Sequence, residues 1–188
     1  MTDKFRNKYR VPSTRLQNWD YRSQGAYYIT ICTHNRECYF GEVIDKKMVL
    51  SHIGIIADIL WYQIPRISKN IQLGPFVVMP NHVHGILIIK ENVKEIHSNN
   101  DIVNDNITFF KNEYMSKISP KKNSVSAIIR SYKSAITYHV HRLGFDFQWQ
   151  PRFHDYIIRD EKIFQKIAKY IRDNPANWEK DRFYKNNF

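Results

Sequence analysis

The sequence predicts an α+β sandwich on three observations. Short runs rich in β-branched and aromatic residues alternate with segments of helical apolar spacing. The helical segments carry recognisable start and stop residues. The order reads strands, helix, two strands, helix, strand, helix, with no internal repeat. At 188 residues the chain has the size of one ordinary domain with additions. A hydrophobic content of 43% and an aromatic content of 14% supply the apolar surface that offsets the entropy of ordering.

The elements follow from local chemistry. "AYYITICT", Ala26 to Thr33, follows Gly25 and reads as a buried strand, and "YFGEVIDKKMVLS" as a short hairpin. From Ser51, the residues Ile53, Ile56, Leu60 and Ile64 recur at helical spacing, with Ser51 able to cap the start and Pro65 marking the end. "FVVMP" and "HVHGILIIK" are strand-like runs divided by the turn dipeptide Pro80-Asn81. Residues 91 to about 123 are polar, Asn-rich and without sustained period, which predicts a long mobile insertion. Val125, Ile128, Ile129, Tyr132, Ile136, Val140 and Leu143 share one face of a second helix that Gly144 stops. "FQWQPRFHDYIIRD" reads as an irregular segment entering a strand. "DEKIFQKIAKYIRDNP" reads as a final helix capped by Asp160 and halted before Pro175. The chain thus divides into an N-terminal arm (1–24), a main domain (25–178) with the insertion, and a C-terminal tail (179–188).

Lys and Arg number 29 against 18 Asp and Glu, a formal net charge of +11, and so large an imbalance favours a polyanionic partner, nucleic acid first. In the arm, Arg6, Lys8, Arg10 and Arg15 interleave with Phe5, Tyr9, Trp19 and Tyr21, a composition suited to phosphate contact and base stacking. The longest apolar run, "GILII", is far short of a membrane span, and the charged N-terminus leads into no apolar signal region. A cytoplasmic protein with reduced Cys32 and Cys38 is expected. C-x5-C is not a zinc-finger spacing, which weighs against a zinc site joining these thiols to the histidines.

The chemistry centres on "MPNHVHG". Side chains at i and i+2 of a strand point the same way, so His82 and His84 converge and make half of a metal shell. A histidine-triad hydrolase would place a third histidine where Ile86 stands, and a metallo-β-lactamase-like H-x-H-x-D-H pattern fails at the same position. On the final helix Ile163, Phe164, Ile167, Ala168 and Ile171 form the buried stripe. Tyr170 and Asn174 lie together on its margin, aimed at the sheet. A phenol is a poor nucleophile at neutral pH and needs an activated electrophile. A divalent cation on His82, His84 and the Asn174 amide oxygen would polarise a phosphate in line with Tyr170, and a phosphotyrosine would conserve the bond energy without a nucleotide cofactor. Mixed nitrogen and oxygen ligands suit manganese (Mn2+), with magnesium (Mg2+) the other candidate. Tyr132, Tyr138 and Tyr156 are rival nucleophiles.

"MPNHVHGILII", "WQPRFHDYIIRDE" and "YIRDNP", in this order, resemble the REP-associated tyrosine transposases, relatives of the single-tyrosine transposases of small insertion sequences, from about Tyr9 to Trp178. The resemblance implies a ferredoxin-like α+β fold, a central antiparallel sheet backed by helices. It implies a metal-dependent endonuclease and strand transferase that cleaves single-stranded DNA beside a hairpin, leaving a 5′-phosphotyrosine and a free 3′-hydroxyl. His82 and His84 match the family's metal ligands, Tyr170 its nucleophile, and Asn174 the position of a third, amide-bearing ligand. By the same analogy the arm around Arg6, Lys8 and Arg10 holds the hairpin, and a monomer is expected rather than a homodimer. Two other readings stand beside it: a non-catalytic module that binds single-stranded DNA or RNA by stacking, and a basic structural protein in which the histidines only pack.

Overall fold

The computed structural model describes residues 19–91 and 120–184, together with the backbone of two short strands near the N-terminus. Those strands, β1 (Lys4–Phe5) and β2 (Lys8–Tyr9), pair antiparallel. The main domain runs β3 (Gly25–Cys32), the hairpin β4 (Gly41–Ile44) and β5 (Lys47–Leu50), α1 (His52–Tyr62), α2 (Ile64–Ile67), β6 (Ile71–Met79), β7 (His82–Ile89), α3 (Val125–Arg142), β8 (His154–Ile158) and α4 (Glu161–Asp173). The insertion expected over 91 to about 123 falls at 92–119 outside the described residues.

One four-stranded antiparallel sheet has the order β6-β7-β3-β8. Its strands belong to a β3-α1-β6-β7-α3-β8 chain, so the fourth strand lies beside the first, the first beside the third and the third beside the second. That is the β-α-β-β-α-β topology of a ferredoxin-like fold: the α+β order expected from the sequence pattern, in the fold that the family resemblance implies.

Local chemistry sets the helix ends. The hydroxyls of Ser51 and Ser124 accept from the backbone N–H groups of Gly54 and Ala127 at 3.1 and 3.2 Å, and Asp160 accepts from Ile163 at 2.8 Å, satisfying N–H groups that have no intrahelical partner. Gly144, at φ +83°, ends α3 in the left-handed region. β6 begins at Ile71, five residues before the apolar run read from the sequence. A register shift between Leu73 and Phe76 absorbs Gly74 and Pro75, which an edge strand tolerates.

The sheet has two different faces. Tyr27, Ile29, Ile31, Val83, Leu87 and Ile89 are almost fully buried against α1 and α3. Gly85 permits this packing, because a Cβ there would lie 2.3 Å from the Trp61 ring. Trp61 in turn stacks on Phe76 at 5.2 Å and meets Tyr132 edge-on at 5.2 Å. The opposite face carries Tyr28, Thr30, Cys32, His82, His84 and Ile86 in register, since Thr30 pairs with His84 and Cys32 with His82. α4 packs over this face through Ala168 and Ile171. Beyond it, Trp178 and Phe183 fold back onto Cys32 and Met79, so residues 179–184 of the segment set apart as a tail are packed on the domain as far as Tyr184.

Candidate metal centre

β7 delivers His82 and His84 to one point, as the two-residue period of a strand requires, and their ring centroids lie 4.3 Å apart. Both are fully buried. Burial holds both imidazoles neutral: His82 is pushed down to about 3, with Arg182 and Arg36 adding to the effect, and His84 falls well below its ordinary value, its neighbour His82 contributing. A neutral imidazole is the ligand form.

Asn81 decides which nitrogen of His82 is free. Its Nδ2 donates to the carbonyls of Phe183 and Arg36 at 2.8 and 3.2 Å, so its Oδ1 is an acceptor and takes the His82 Nδ1–H at 2.9 Å. His82 Nε2 is therefore a bare lone pair, and it is buried with no hydrogen-bond partner. Asn174 Oδ1 is orphaned in the same way. Two buried acceptors without donors are costly as they stand, and a cation between them would satisfy both. Thr30 Oγ1 and Tyr28 Oη flank His84 Nδ1 at 2.9 and 2.8 Å and orient that ring. Burial raises the Tyr28 phenol to about 12.

The residue that completes the group is Asp181. His82, His84 and Asp181 each offer a ligand atom, all within 4.8 Å of one another. This trio fits a divalent ion that accepts mixed nitrogen and oxygen donors. Asp181 follows a short 3-10 turn, Pro175–Lys180, that redirects the chain after α4. Its Oδ2 accepts from Tyr170 Oη at 2.7 Å and from Asn174 Nδ2 at 2.8 Å, and its Oδ1 from the Phe183 N–H at 2.7 Å. The sequence reading passed over it as part of the tail, although Trp178, Phe183 and Tyr184 around it already suggest a packed segment.

Tyr170 and Asn174, one helical turn apart, both reach this point. The Tyr170 ring lies 5.3 Å from that of His84, with the hydroxyl oxygen 3.4 Å from Nε2. Asn174, only 2% exposed, sits at the end of α4. Burial raises the Tyr170 phenol far above its ordinary range, and its bond to Asp181 raises it further. Tyr170 is nonetheless 40% exposed, and a cleft of about 300 Å³ opens beside it between Lys166, Lys169 and Lys180. The rival tyrosines lie elsewhere. Tyr132 is buried and donates to the Ala57 carbonyl at 2.9 Å, Tyr138 is exposed on α3, and Tyr156 is exposed on β8. Cys32 is buried beside the site and Cys38 exposed, and neither belongs to the metal group. Arg6, Arg10 and Arg15 lie outside the described residues, and of Lys8 only the backbone in β2 is described.

A ferredoxin-like domain with a His-His-Asp group, its two histidines buried, and a tyrosine at its edge is the architecture of this chain, and its fold is that of a REP-associated tyrosine transposase. The solved structure of one such transposase bound to a REP hairpin superposes over 89% of this chain and 74% of its own, with a TM-score of 0.56 at 18% identity. The chain belongs to the same family as an uncharacterised protein of Haemophilus influenzae, to which it is 35% identical over 173 residues, 92% of each chain. No protein-family model matches it. Among the described residues no helix is long and apolar enough to cross a membrane.

Proposed function

We propose that the protein is a metal-dependent endonuclease and strand transferase that acts on single-stranded DNA beside a hairpin through a 5′-phosphotyrosine on Tyr170. The observation that carries this reading is that one hydroxyl, Tyr170 Oη, lies against both a histidine and the carboxylate of the same candidate metal group. A phenol kept protonated by burial needs a base at the moment of attack, and Asp181 Oδ2 already accepts its hydrogen bond. Tyr170 oxygen then forms a bond to phosphorus while the bond to the 3′-oxygen breaks. The released 3′-oxygen takes a proton from solvent, and a later 3′-hydroxyl can reverse the step on the phosphotyrosine.

His82, His84 and Asp181 would hold a divalent cation, with the orphaned Asn174 oxygen beside them. Such an ion, Mg2+ or Mn2+, supplies Lewis-acid polarisation of a phosphate oxygen. Asn81, Thr30 and Tyr28 orient the two imidazoles. The excess of basic residues, including Arg6, Lys8, Arg10 and Arg15 of the arm, suits a DNA strand.

The test uses end-labelled single-stranded DNA hairpins with Mn2+ or Mg2+. A covalent protein–DNA band lost in both Tyr170→Phe and His82→Ala supports the reading. DNA binding with no cleavage or band across varied hairpins and both metals overturns it in favour of a binding module.

A further inference from the structure

We infer that Arg36 and Arg182, gathered around Phe183, form a clamp for a backbone phosphate of single-stranded DNA next to the one Tyr170 attacks. The inference rests on the proposed function and assigns two residues that neither the sequence motifs nor the metal group includes.

Arg36 is aimed by a strained turn. Asn35 and Arg36, in the turn after β3, both adopt left-handed backbone, at φ +49° and +57°. A left-handed conformation is strained for a residue such as arginine and persists only where its surroundings enforce it. Here Thr33 Oγ1 donates to the Glu37 carbonyl at 2.7 Å, and Asn81 Nδ2 donates to the Arg36 carbonyl. The amide that sets the His82 tautomer therefore also fixes the Arg36 backbone. At the far end, Arg36 Nη1 donates to the Arg182 carbonyl at 3.1 Å, which ties the two arginines together.

Both guanidinium groups lie on Phe183, at 5.1 Å for Arg36 and 4.5 Å for Arg182 from the ring centroid, and the same ring is 4.6 Å from His82. Both side chains are exposed, and neither makes an ion pair among the described residues. The described hydrogen bonds to Asp181, the carboxylate next to Arg182 in sequence, come from Tyr170, Asn174 and the Phe183 backbone and not from either guanidinium. Two fixed cations beside a pocket suited to a third are mutually repulsive. The placement becomes favourable when an anion enters with the metal. Planar forks that present several N–H groups to solvent match the oxygens of a phosphodiester. A strand crossing the histidines to reach Tyr170 brings such a group to Phe183.

The experiment measures binding of hairpin DNA to the full chain in EDTA and, in a parallel assay with Mn2+, its covalent joining to unmodified hairpin DNA. Each phosphate flanking the cleavage point is replaced in turn by a neutral methylphosphonate. Wild type, Arg36→Ala, Arg36→Lys and Arg182→Ala are compared with Arg66→Ala, an exposed arginine on α2. Wild type is expected to lose about 10-fold in affinity at one flanking position, the scale of one charge-assisted contact. Arg36→Ala and Arg182→Ala should lose a similar factor on unmodified DNA and nothing further at that position, with a salt slope lower by about 0.7. Arg36→Lys should be intermediate, and Arg66→Ala should remain sensitive at that position. Losses from protein and DNA changes that multiply at every position, or variants that bind as wild type does, overturn the clamp alone if wild type still joins to DNA. A wild type that neither binds nor joins to DNA overturns the proposed function and the clamp with it.

Discussion

Replacing Asp181 separates its structural from its metal-binding role. In Asp181→Ala three donors lose their acceptor: Tyr170 Oη, Asn174 Nδ2 and the Phe183 N–H. Tyr170 is exposed enough for water to replace its bond, so little is lost there. Asn174 is buried, and an orphaned donor of that kind costs about 1–3 kcal/mol. The Phe183 amide adds about 1 kcal/mol. The sum, about 2–4 kcal/mol, should lower the melting temperature of this 188-residue chain, measured in EDTA, by roughly 5–15 °C. Asp181→Asn keeps the shape and one acceptor oxygen, so it should melt closer to wild type. Both changes remove the charged oxygen of the His-His-Asp group and should weaken Mn2+ binding, read by calorimetric titration, by about 100-fold or more. A Asp181→Asn protein that binds Mn2+ as tightly as wild type would refute the assignment of the carboxylate as a ligand.

Three further outcomes are expected. Both histidines have folded-state values below the unfolded value near 6.5, so the unfolded chain takes up more protons as pH falls; metal-free stability is fully present above that value and is lost as pH falls below it, toward about 3 for His82. Urea titrations between pH 7 and 5 should show a loss approaching about 1.4 kcal/mol per histidine per pH unit, flattened in a His82→Gln, His84→Gln variant; an equal slope in the variant contradicts the assignment. Asn81→Ala removes the acceptor that fixes the His82 tautomer and should weaken Mn2+ binding by about 10–100-fold, while unchanged affinity would show that Asn81 is not needed to orient His82. Gly85→Ala drives a methyl into the Trp61 ring and should cost about 3 kcal/mol or more in denaturant unfolding; a cost under about 1 kcal/mol would mean that Trp61 moves aside freely.

What the sequence discloses depends on the range of the interaction. His82 and His84 were legible as a convergent pair because the two-residue strand period is local. Tyr170 and Asn174 were legible as neighbours because the helical period is local too. The helix caps at Ser51, Ser124 and Asp160 are settled within three residues, and the sequence pattern marks two of them, Ser51 and Asp160. Asp181 was not found, because no periodicity brings a residue after a 3-10 turn back over β7. That return is set by the packing of Trp178 and Phe183 on Cys32 and Met79, contacts between segments far apart in sequence. The left-handed pair Asn35-Arg36 escaped for a related reason: its strain is held by Asn81, 45 residues from Arg36. The early start of β6 is hidden because Gly74 and Pro75 interrupt the apolar pattern ahead of Phe76, where the edge strand carries a bulge.

The measurement that bears most directly on the central claim is mass-spectrometric mapping of protein incubated with hairpin DNA and Mn2+, then digested with nuclease and protease. A nucleotide joined through its 5′-phosphate to the peptide containing Tyr170 is the result the account predicts. A nucleotide on Tyr132, Tyr138 or Tyr156 instead, or no adduct while the DNA is cut, would contradict it.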